Sequence, residues 1–135
     1  MEHQIVVGVH ARGATTQLDW AIDASLRWNA TLLIVHCYEG RFAVEMPEPD
    51  DDALAEAQRV VDEALDRARA RGARADAEVI DGFAGEALVE ASRDAQLLVV
   101  GSHHRGRLAH ALHPSVSAYC LHHAHCPVTI VPLDD

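Results

Sequence analysis

A chain of 135 residues with a formal net charge of -10 lacks the broad basic face that a general nucleic-acid binder or an anionic membrane surface would require. Its longest apolar run falls far short of the roughly 20 residues a membrane helix needs, and no charged start leads into an apolar stretch, so no signal peptide is expected. Residues 1–135 read as one domain, large enough to bury a core without staples, and three cysteines without framework spacing suit a reducing cytoplasm.

In chain order, Ile5-Val6-Val7-Gly8-Val9 has nothing polar inside it and reads as a buried strand. A loop from His10 to Thr15 follows, where Thr15 or Thr16 offers a helix cap. From Thr16 to Asn29 the residues Leu18, Ala21, Ile22, Ser25 and Leu26 recur at helical spacing, flanked by Trp20 and Trp28. Thr31–His36 is the second strand, and Cys37–Asp52, with its prolines and acid cluster, reads as a surface loop.

Asp50, Asp51 and Asp52 open a helix of about twenty residues that closes on Arg67, Arg69, Arg71 and Gly72. Leu54, Ala57, Val61, Ala64, Leu65 and Ala68 form its expected buried stripe. Ala75–Ile80 reads as an edge strand, and a helix over about Gly85–Asp94 turns Leu88, Ala91 and Ala95 inward. Leu97–Val100 and Val128–Val131 are two further apolar strands, separated by a polar turn and a helical segment. The alternation gives an α/β fold, an open doubly wound parallel sheet with helices on both faces.

The stretch from Leu97 to Leu133 differs from the rest in charge. It holds no Asp or Glu, yet seven of the ten histidines fall there, with Arg105 and Arg107. Zinc is one reading of His103, His104, His110, His113 and the tail Cys120-x-His122-His123-x-His125-Cys126. Adjacent histidines on a helix diverge, however, and the plainer reading makes Cys126 a small buried residue and the histidines a solvated helix end. A pH-responsive patch is a further reading, because histidines titrate near neutrality. Ser102, Ser115 and Ser117 have histidines nearby, but there is no G-x-S-x-G elbow and no lysine at all, so no enzyme is expected. His36 reads as a hydrogen-bonded rim residue, and Cys37 and Cys120 as inert.

Three segments, IVVGVHARGATTQLDWAIDASLRWNATLLIVH, GEALVEASRDAQLLVVGS and HHAHCPVTIVP, resemble the universal stress protein family nearly end to end. The resemblance implies a five-stranded parallel sheet in order 3-2-1-4-5, of the adenine nucleotide alpha-hydrolase-like kind. It implies a cytoplasmic stress-response binding module that forms a homodimer through the C-terminal edge strand, 127–132. That edge carries Val128, Ile130 and Val131 and no charge until Asp134.

The family's ATP motif, G-x2-G-x9-G-S/T, follows the fourth strand, and its glycines let the backbone approach phosphate at a helix start. Here Gly101 and Ser115 match and Gly106 is kept inside the loop, while His104 and Pro114 replace glycines. His10 stands where ATP-binding members carry an Asp. Pro114 lacks an N–H, leaving Ser115, Val116 and Ser117 as backbone donors. The implied site is therefore His10, Gly101, Ser102, Gly106, Ser115, Val116 and Ser117, with Arg105 and Arg107 as charge partners. Its implied ligand is ATP, another adenine nucleotide or a small anion. The alternative is a protein-interaction module of the same fold whose altered loop marks lost nucleotide binding.

Overall fold

The computed structural model describes residues 3–38, 51–103 and 116–133. The elements in order are β1 (Gln4–Gly8), α1 (Thr16–Trp28), β2 (Thr31–Tyr38), α2 (Asp51–Ala70), β3 (Ala75–Asp81), α3 (Ala84–Ala91), β4 (Leu97–His103), α4 (Val116–His123) and β5 (Val128–Leu133). The strands form one five-stranded sheet, β3-β2-β1-β4-β5, in which each neighbouring pair is parallel. The expected architecture and strand order are those observed.

Both sheet faces are covered, which is why the central strands read as unbroken apolar runs. Ile5, Val7, Leu32, Ile34, Leu97 and Val99 pack under α1 and α2, against Leu18, Ile22, Val60 and Ala64. Val6, Val35, Leu98 and Val100 face the other way, against Leu88 and Val89 of α3 and Cys120 of α4. Alternation along each strand thus feeds two cores rather than a core and solvent.

α1 and α2 are fastened to each other at their surface. Arg67 donates from Nε and Nη2 to the two carboxylate oxygens of Asp19, at 2.6 and 2.8 Å. One turn further along α1, Asp23 pairs with Arg71, the residue that follows the end of α2. The end of α1 turns on Asn29, in the left-handed region at φ 54°, and Arg74 donates to its backbone and side-chain oxygens. Asn accepts this conformation more readily than most residues other than glycine.

Several expected details differ. Leu26 and Leu54, placed on buried stripes by spacing, are 42% and 43% exposed. Each lies at the margin of its helix's apolar arc, and Val60 takes the inward position on α2 instead. Thr15 is the N-cap of α1, but its side chain makes no capping bond. Cys37 and Tyr38 belong to β2, drawn in by pairing with Ile80 and Asp81. α3 ends at Ala91 rather than near Asp94, and Cys126 is half-buried rather than buried.

Candidate functional site

The sheet order reverses direction beside β1, so connections leave β1 and β4 on opposite faces and their carboxyl ends flank a crevice. The β1–β4 ladder reaches Val7 opposite Val99. Beyond that point β4 runs on with β5, pairing Gly101 with Val131 and Ser102 with Pro132. β1 instead leans toward β2, because the Val9 N–H donates to the Val35 carbonyl at 2.9 Å. His36, buried at the rim as expected, donates from Nδ1 to the Val9 carbonyl at 2.8 Å. The two strands therefore part company where His10 on one side and Gly101 and Ser102 on the other are presented.

His10 is exposed at the start of the β1–α1 loop, and Gly101 and Ser102 are half-buried. Val116 and Ser117 open α4; Val116 packs partly into the core beneath α3 and α4, and Ser117 is buried. Arg105, Gly106, Arg107 and Ser115 lie outside the described residues, as do His104, His110, His113 and Pro114. Among the described residues no group of three or more His, Cys, Asp or Glu side chains converges as a metal set, and no helix is long and apolar enough to cross a membrane.

Glycine works here through close packing. A β-carbon on Gly8 would lie 2.9 Å from Leu88 Cδ1, so its absence lets α3 press onto the sheet beside the crevice. A β-carbon on Gly101 would lie 2.6 Å from Leu133 Cδ1.

Gln17 is a site residue that the sequence reading passed over. It sits in the first turn of α1, 1% exposed, with Nε2 donating to the Gly8 carbonyl at 3.1 Å and lying 3.4 Å from His10 Nδ1. Its Oε1 is buried with no hydrogen-bond partner among the described residues, an arrangement that costs about 1–3 kcal/mol. Helical spacing was the available signal: Gln17, Leu18, Ala21, Ile22 and Ser25 share one buried arc of α1.

The β1–α1 loop is held from the α2 side. Glu63 accepts from the Gly13 N–H at 3.1 Å, and Arg12 pairs with Glu56 at 3.1 Å. A cavity of about 70 Å³ lies beneath, lined in part by Val9, Leu18, Val60 and Ala64, with Glu63 and Arg67 supplying charge. It has room for a few waters. The three thiols lie toward the α3–α4 face. Burial pushes Cys37 and Cys120 up to about 11, and raises Cys126 as well.

The universal stress protein family model matches residues 1–132. The chain is 33% identical over 132 residues to the universal stress protein Rv2624c of Mycobacterium tuberculosis, covering 94% of this chain and 47% of that protein. It is 35% identical over 149 aligned residues to Rv2623 of the same organism, covering 97% and 48%. The chain thus spans about half the length of the curated relatives it matches. Among solved structures, a universal stress protein in complex with cAMP superposes with a TM-score of 0.76 at 27% identity, covering 98% of each chain. A family protein from Burkholderia pseudomallei gives 0.70 at 26%, covering 96% and 95%. One from Archaeoglobus fulgidus in complex with dAMP gives 0.76 at 20%, covering 98% of each, a likeness of fold.

Proposed function

Because the chain belongs to the universal stress protein family, we propose that it is a non-catalytic binding module that takes an adenine nucleotide at the crevice between the carboxyl ends of β1 and β4. The observation that carries this reading is the separation of β1 from β4 after Val7 and Val99. His10, Gly101 and Ser102 border the opening, and the first backbone N–H groups of α4 form the positive end of a helix dipole. Arg105, Gly106, Arg107 and Ser115, which fall between β4 and α4 in the sequence, are the remaining residues of the proposed site. The complex of a family member with cAMP supports a nucleotide of this class.

The module is proposed to act as a single domain in the cytoplasm and as a homodimer through β5. That strand has β4 on one side and ends the sheet order, and Ile130 on it is exposed. An apolar edge of this kind favours pairing with a second copy.

The test is to denature protein as purified, analyse the released small molecules, and melt the nucleotide-stripped protein with AMP, cAMP and Mg-ATP. A ligand at 100 times its Kd adds about 2.7 kcal/mol, which raises Tm by about 5–10 °C for a chain of this size. No nucleotide and no shift would favour the second reading, an interaction module without nucleotide. The specific observation for it is that His104 and Pro114 occupy motif-glycine positions, with Pro114 unable to donate.

A further inference from the structure

The segment that leads from His10 into α1 is gripped from α2. Glu56 and Glu63 are two helical turns apart and so share one side of α2. Glu63 Oε1 accepts from the Gly13 N–H at 3.1 Å, and Glu56 Oε2 accepts from Arg12 Nε at 3.1 Å. One turn beyond Glu63, Arg67 holds Asp19, which lies in the first turn of α1. The start of α1 is thus bracketed by neighbouring side chains of α2, at Gly13 before it and at Asp19 within it.

Packing does little to fix this loop. Ala11, Arg12 and Gly13 are exposed, and the cavity described above lies beneath them. Within the loop the Ala14 N–H donates to the Ala11 carbonyl at 3.4 Å, a long bond. Gly13 turns at φ 79°, and Thr15, the N-cap, makes no side-chain capping bond. Glu63 supplies what the cap lacks, an acceptor for a loop N–H and a negative charge near the positive end of the helix. Arg12 and Glu56 are both about half exposed, so their pair contributes little.

We propose that Glu63 is a positioning residue, an external cap from α2 that sets the loop 10–15 and with it one side of the β1–β4 crevice. The consequence for binding rests on the nucleotide reading above. A loop held in place beforehand loses less freedom when a ligand arrives, so affinity at the crevice depends on a side chain of α2. By reciprocity, a bound ligand should slow exchange of the Gly13 amide.

The experiment is amide hydrogen exchange, read by NMR, on the parent protein, Glu63→Ala and Glu63→Gln. Glutamine keeps an acceptor oxygen without the charge. In Glu63→Ala the Gly13 amide should exchange about tenfold faster, the loss of roughly one hydrogen bond. The Val7 and Val61 amides and Tm should stay unchanged, because the Glu63–Gly13 bond is exposed. Glu63→Gln should restore most of the protection, which a general effect of charge on stability would not do. A Gly13 amide that exchanges equally fast in the parent and in Glu63→Ala overturns the assignment, as does a Glu63→Gln as fast as Glu63→Ala. Titration with AMP separates the two readings. If AMP binds the parent, Glu63→Ala should bind about fivefold more weakly and Glu63→Gln nearly as well as the parent. Equal affinity in all three overturns the role at the crevice. If AMP binds none of them and the exchange pattern is as stated, Glu63 keeps its hold on the loop and the nucleotide reading falls.

Discussion

Leu133, on the edge strand, places its side chain where a β-carbon on Gly101 would stand, with Cδ1 2.6 Å and Cγ 3.0 Å from that point. The first glycine of the phosphate-loop pattern is thus also a packing requirement that joins β4 to β5. Gly101→Ala is expected to cost about 1–3 kcal/mol through overpacking. The double variant with Leu133→Ala should recover part of the loss, since the shorter side chain vacates the contested space. Urea unfolding of the four proteins measures the coupling; strictly additive losses would contradict the contact.

Asp19 is held below the ordinary aspartate range, chiefly by its hydrogen bonds from Arg67. A carboxyl depressed in the folded state stabilises above its unfolded value, and that contribution is lost as pH falls through the folded value. Asp19→Asn should therefore be less stable than the parent near about pH 7, with the gap closing toward about pH 2. Both partners are substantially exposed, so the gap should be small and should shrink further in high salt. A gap that widened in acid would run against the pairing.

At about pH 8, a thiol pushed up to about 11, like Cys37 and Cys120, is ionised to only about one part in a thousand, against roughly a quarter for an ordinary cysteine. Disulfide-exchange reagents should label these two thiols at least about a hundredfold more slowly in native than in unfolded protein. Equal rates would place them in a more accessible setting than the structure gives.

His36→Phe removes the donor to the Val9 carbonyl and is expected to cost about 1–3 kcal/mol. An unchanged urea midpoint would mean that solvent satisfies Val9 in its place.

The order of elements and the layering were legible because strands buried on both faces leave continuous apolar runs, and capped helices leave periodic ones. What escaped depended on neighbours distant in sequence. Cys37 and Tyr38 read as loop because their strand character comes from pairing with Ile80 and Asp81. Leu26 and Leu54 sit at the edges of their stripes, where the position of the adjoining helix decides burial. Arg67 and Arg71 fitted a helix end by charge alone, and nothing local identified Asp19 and Asp23 as their partners. Of the candidate site, His10 and Gly101 stood out through the motif, whereas Gln17 was hidden by the habit of seeking core residues among apolar ones.

The two carboxylates on α1 are four residues apart, as are the guanidinium groups of Arg67 on α2 and of Arg71 just past its end, so the two segments carry matching teeth. Sliding one helix along the other by less than a turn unmeshes both teeth, and sliding by a full turn re-engages only one. The charged pairs on the outside therefore reinforce the one axial alignment that the packed side chains beneath them already set.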